Sequence, residues 1–180
     1  THESPRMTPD GTTANRIIQL MANNRDKPFF IAAGFHKPHQ PWVGPKAFFD
    51  EHSIEAIQLP PTLAGDTDDI PSPAAEILPD DSVHTTQQRK QAIAAYHAMV
   101  TMTDAFVGQL LRALDELALS RSTIVVFTSD HGFHLGEHDF WAKVSLLDES
   151  SQVPFIISVP GKQPAVCHSL TELLDLYPTL

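Results

Sequence analysis

The sequence predicts an α/β fold with a mostly parallel sheet flanked by helices. Three short apolar runs carry half of that prediction. Residues 29–33, 123–128 and 154–159 are rich in β-branched and aromatic side chains and read as buried strands. Segments with helical spacing alternate with them, which is the other half. No internal repeat is present.

In chain order, residues 10–24 are predicted as a helix, with Ile17, Ile18 and Met21 on one face and Asp10 or Thr12 as its cap. The 29–33 strand follows. Gly44-Pro45 punctuates the next loop, and residues 46–51 form a short helix. Residues 54–82 are rich in Pro, Asp and small side chains without a sustained period, so a long surface excursion is expected. Asp66, Asp68, Asp69, Asp80 and Asp81 fail the spacing of a calcium loop and read as a solvated acidic segment.

Residues 85–119 give the strongest helical pattern. Ile93, Tyr96, His97, Val100, Val107, Leu110, Leu111, Leu114 and Leu117 recur at helical spacing, and Thr85 or Thr86 caps the start. His97 lies on that stripe and reads as a core histidine. The strand at 123–128, the strand at 154–159 and a helix from about 169 complete the chain.

The bulk numbers limit function. With 180 residues, 42% of them hydrophobic, the chain can bury a sizeable core as one unit. A net charge of −10 argues against a general nucleic-acid or anionic-membrane surface. It leaves room for a local basic pocket that takes an anion. The single cysteine, Cys167, permits no internal disulfide and sits in no recognised metal or nucleophile spacing. No apolar stretch approaches 18 residues.

Chemistry concentrates at two strand ends, where ligands sit in open α/β sheets. After 123–128 comes Ser129-Asp130-His131-Gly132. Asp130 offers a hard oxygen ligand, and His131 a second ligand or a donor to an anion. Trp141-Ala142-Lys143 follows. After 29–33 comes Phe35-His36-Lys37-Pro38-His39-Gln40-Pro41-Trp42, which gathers two imidazoles and an ammonium suited to a tetrahedral oxyanion.

The string from Ser129 to His138, then Trp141-Ala142-Lys143, Val153-Pro154-Phe155 and Pro160-Gly161, resembles the C-terminal half of a sulfatase catalytic domain. Within that family it looks most like the iduronate-2-sulfatase branch, and the His-Lys-Pro-His string fits the same pattern. The resemblance implies an alkaline-phosphatase-like α/β fold, present here as a fragment. It implies one divalent cation, usually calcium, and hydrolysis of sulfate esters of a sulfated sugar. The family's nucleophile is a hydrated formylglycine, made from Cys or Ser in Cys/Ser-x-Pro-x-Arg by a formylglycine-generating enzyme.

By similarity Asp130 is a calcium ligand, and His131 completes the metal site or touches the sulfate. His39 matches the sulfate-binding histidine, and Lys143 the lysine that bridges sulfate and nucleophile. His36 and Lys37 flank them, one of the two facing the substrate. The resemblance also implies a periplasmic, secreted or lysosomal location.

The departures are specific. No Cys/Ser-x-Pro-x-Arg string occurs, and the N-terminal aspartate pair is absent. Residues 1–180 are therefore expected to be a partial catalytic domain, lacking the nucleophile and further metal ligands. Asp139 stands where a small residue, most often glycine, is expected. Two alternatives stay open. One is a phosphatase or phosphodiesterase of the same superfamily; the other is a non-catalytic sulfoglycan-binding relative.

Overall fold

The computed structural model describes residues 4–66, 68–71 and 85–180. Asp80 and Asp81 of the acidic segment lie outside the described residues. Helix α1 spans Pro9–Asn23, α2 Lys46–Asp50 and α3 Thr86–Glu116. Strand β1 is Val125–Thr128, β2 His134–Leu135 and β3 Trp141–Ala142. Helix α4 is Asp148–Ser151, β4 is Phe155–Ser158 and α5 is Leu176–Thr179.

Helix α3 organises the molecule. Its 31 residues make a rod of about 46 Å. A capping box starts it: Gln88 N–H donates to Thr85 Oγ1, and Thr85 N–H donates to Gln88 Oε1. It stops three residues earlier than the pattern predicts. Ala118 takes φ +58°, and the N–H groups of Ala118 and Leu119 return to the Asp115 and Leu114 carbonyls. This is a Schellman ending with alanine where glycine is usual, so no glycine marks the stop in the sequence.

Three core clusters line α3. Ala98, Met99, Met102 and Phe106 pack with Ala14 of α1 and with Phe35 and Trp42. Ala113 and Leu114 pack with Ile17 and Met21 of α1 and with Phe29, Ile31 and Val125. Ile93 and Ala94 pack with Ile57, Leu135 and Trp141. The buried face is thus centred on Met99, Met102 and Phe106, while Val100 and Leu111 of the predicted stripe are exposed. The α1 helix and the 35–42 loop both dock on one side of α3, which selects that face. His97 is only half-buried, its ring beside His52.

The cap of α1 is Thr8, whose Oγ1 accepts the Gly11 N–H; neither Asp10 nor Thr12 does this work. The helix expected from about 169 starts later, as a 3-10 turn at Leu173–Asp175 leading into α5. Asp175 Oδ2 accepts the Glu172 N–H, which sets that later start.

The strands correct one expectation. β1 pairs with β4 antiparallel, Val125 opposite Ser158 and Thr128 opposite Phe155. β2 pairs with β3 antiparallel as well. Among the described residues, no parallel ladder forms, and 29–33 pairs with no strand. Phe29 and Ile31 still turn into the core while Phe30 stays exposed. An apolar run carries no information on the direction of its neighbour. The burial expected of these runs is also only partial, since Ile124, Phe127, Ile156 and Ile157 are exposed.

Candidate active site

The Asp130 loop is built on a glycine. Gly132 N–H donates to Ser150 O at 2.7 Å. A Cβ at Gly132 would lie 2.0 Å from the Glu149 carbonyl oxygen. Backbone cannot yield as a side-chain tip does, so only glycine fits. Gly132→Ala is expected to cost about 3 kcal/mol of stability, measured by denaturant unfolding.

Three predicted residues meet here. His131 Nδ1–H donates to the Gly132 carbonyl at 2.7 Å, which leaves Nε2 as an acceptor. The Lys143 ammonium donates to that Nε2 at 2.8 Å. Asp130 Oδ2 lies 3.7 Å from the same nitrogen, and Oδ1 accepts the His131 N–H at 3.1 Å. Desolvation pushes the Asp130 carboxyl up. His131, the backbone hydrogen bonds and the Lys143 charge outweigh it and hold the group below its ordinary value. The carboxylate is 86% exposed, so an ionised oxygen donor is presented to solvent.

The approach to Lys143 is conformationally unusual. His138, Asp139 and Ala142 take φ +56°, +58° and +89°. These are left-handed values that favour glycine, which explains why a small residue is expected at 139. Arg89 Nη1 lies 3.5 Å from Asp139 Oδ1 and helps to hold that turn.

The second loop carries His36, Lys37 and His39. It contains two cis peptides, before Pro38 and before Pro41. The His36 and His39 rings lie 4.7 Å apart. His39 Nδ1–H donates to the Gln40 carbonyl at 2.6 Å, leaving Nε2 for other partners. Lys37 Nζ donates to the His39 carbonyl at 3.0 Å and to the Pro41 carbonyl at 2.5 Å. Burial lowers its pKa, and Asp10 opposes that.

An aromatic group joins the two loops. Phe133 stacks on Tyr96 of α3 with centroids 5.3 Å apart. Trp42 stands edge-on to both, at 6.3 Å from Tyr96 and 6.4 Å from Phe133. Asp130, His131 and Lys143 are therefore in mutual reach. Among the described residues, no hydrogen bond or ion pair joins them to His36, Lys37 or His39. Sequence reasoning missed Trp42, Tyr96, Phe133 and the buried Asp10. The aromatic residues carried no signal beyond ordinary core composition.

A neighbouring histidine sets a pH dependence. His134 is 1% exposed. Ser145 Oγ donates to Ser150 Oγ, so His134 Nε2–H donates to Ser145 Oγ at 2.8 Å. Its Nδ1 is buried without a partner among the described residues. Burial lowers its pKa; Glu149 and Glu137 raise it, and His138 lowers it. A histidine with a lowered folded pKa binds fewer protons folded than unfolded, so stability rises with pH. The full-length protein should lose thermal stability as pH falls below about 6.5. His134→Gln should flatten that slope between about pH 7.5 and 5.5 in melting experiments.

The family model described as Sulfatase matches residues 2–180. The chain belongs to the sulfatase family. This sulfatase chain is 34% identical over 188 residues to a sulfatase of Formosa agariphila, covering 99% of the chain and 36% of that protein. It is 39% identical over 172 residues to human iduronate 2-sulfatase, covering 86% of the chain and 31% of that protein. It thus spans about a third of the length of the curated relatives it matches. A phosphonate monoester hydrolase from Silicibacter pomeroyi superposes with a TM-score of 0.84 at 25% identity, covering 97% of the sulfatase chain and 37% of that protein. The fold class is therefore alkaline-phosphatase-like α/β, present as part of the larger domain.

Proposed function

We propose that the protein carrying this chain hydrolyses sulfate esters of a sulfated sugar, with residues 1–180 as part of its catalytic domain. The contact of Lys143 with His131, beside the ionised Asp130, is the observation that carries the reading. An ammonium, an imidazole and an exposed carboxylate in one loop pair serve an anionic group and its counter-cation.

The implied cation fits in part. Asp130 is a charged, accessible oxygen donor of the type calcium prefers. Among the described residues, no group of three or more His, Cys, Asp or Glu side chains is arranged to hold a metal ion. Asp130, with His131 beside it, would hold one side of a calcium ion, which supplies charge stabilisation to sulfuryl oxygens when bound. Lys143 places its ammonium against the same oxygens. His39, with Nε2 available, holds a proton for the leaving alcohol, and His36 or Lys37 contacts the sugar.

The Cys/Ser-x-Pro-x-Arg nucleophile is assigned to a part of the protein outside this sequence. A formylglycine-generating enzyme is its maturation partner. A periplasmic, secreted or lysosomal location goes with the family resemblance. No helix among the described residues is long and apolar enough to cross a membrane.

The fit to the phosphonate monoester hydrolase favours one second reading, hydrolysis of phosphonate monoesters by the same site. The test uses the full-length protein, produced with the formylglycine-generating enzyme. It is assayed on an aryl sulfate, on sulfated disaccharides and on an aryl phosphonate monoester. Turnover of sulfated disaccharide above that of phosphonate supports the proposal. Phosphonate turnover alone replaces it with the second reading.

A further inference from the structure

Asp10 is buried to 3% exposure at the start of α1, yet Thr8 already caps that helix. Its carboxylate faces the site loop instead. Oδ1 accepts the His36 N–H at 2.9 Å, and Oδ2 accepts the Lys37 N–H at 2.9 Å. A buried carboxylate that takes two backbone N–H groups fixes both peptide planes.

The loop is gripped from the other side as well. Thr103 Oγ1 of α3 lies 3.1 Å from the Lys37 carbonyl and 3.0 Å from the Met99 carbonyl, and its one proton is shared between them. The Lys37 ammonium then reaches forward to the His39 and Pro41 carbonyls. Trp42 Nε1–H closes the loop onto the Pro38 carbonyl at 2.8 Å. The backbone of Lys37 is thus held between two packed helices, and its side chain holds the backbone of His39. Asp10 also supports the positive charge of Lys37.

We propose that Asp10 is a positioning residue for the His36–Trp42 loop, setting the orientation of the His39 imidazole through the backbone and ammonium of Lys37. This rests on the reading of His39 as a group that contacts the sulfate ester. Asp10 touches no substrate; it acts through Lys37.

Asp10→Asn is the decisive variant. Its single amide oxygen accepts one N–H, and its NH2 opposes the other as donor against donor. In the full-length enzyme, kcat on an aryl sulfate should fall about 100-fold, with KM within about threefold. Asp10→Glu restores two acceptors and should recover at least about tenfold of the loss. The His39 ring ¹⁵N signals should shift in Asp10→Asn, and amide exchange at His36 and Lys37 should accelerate.

A core control, Met21→Ala, separates positioning from stability. It should lower the melting temperature and leave kcat nearly unchanged. An equal kcat loss in Met21→Ala at matched stability overturns the proposal, as does Asp10→Asn with kcat within about twofold of wild type. If the wild-type enzyme turns over no sulfate ester, the functional reading fails separately. The ring signals and amide exchange then decide the positioning role, and no change in either overturns it.

Discussion

Lys143→Ala in the full-length enzyme should lower kcat on an aryl sulfate by about 1,000-fold, the upper range for losing one preorganised donor to a developing anion. Stability should change by less than about 1 kcal/mol. The two effects separate because Lys143 belongs to none of the three core clusters along α3. Its hydrogen-bond partner is His131 Nε2, which can accept from water once the ammonium is gone. His131 keeps its tautomer through the Gly132 carbonyl. A steady-state assay paired with a thermal melt checks both halves. A kcat within about tenfold of wild type would remove Lys143 from the chemistry.

Much of the site was legible because its chemistry is local in sequence. Asp130, His131 and Gly132 are adjacent, and eleven residues of hairpin bring Lys143 back to them. Gly132 closes that string, but its close approach to the Glu149 carbonyl was not readable. Asp139 was marked as unusual in a place suited to glycine, and its φ of +58° gives the reason.

Other features were illegible for physical reasons. Asp10 looks like a helix cap, because an acid at a helix start stabilises the helix whatever else it does. Only the fold shows that Thr8 caps and that Asp10 reaches 26 and 27 residues ahead. Strand direction was also hidden. Residues 123–128 and 154–159 look alike whether they pair parallel or antiparallel, and here they pair antiparallel. Asp66 was expected in a solvated acidic loop, yet its Oδ2 lies 2.8 Å from His138 Nδ1 and ties that excursion to the turn before Lys143.

Asp130→Asn should weaken cation binding sharply while leaving the loop in place. Asparagine keeps an oxygen that accepts the His131 N–H, so the bond made by Oδ1 survives the change. What disappears is the negative charge, on a carboxylate that His131, Lys143 and the backbone hold ionised. Calcium selects charged oxygen ligands, and affinity follows their number. Calorimetric titration of the full-length protein should show affinity falling by more than about 100-fold, beyond the loss of a group that only supports a ligand. Hydrolysis of aryl sulfate should fall in parallel, and added calcium should recover part of it. The lowered carboxyl pKa keeps Asp130 itself charged down to about pH 5. An unchanged isotherm in Asp130→Asn would assign the cation to other oxygens and leave Asp130 as a partner of His131 and Lys143 alone.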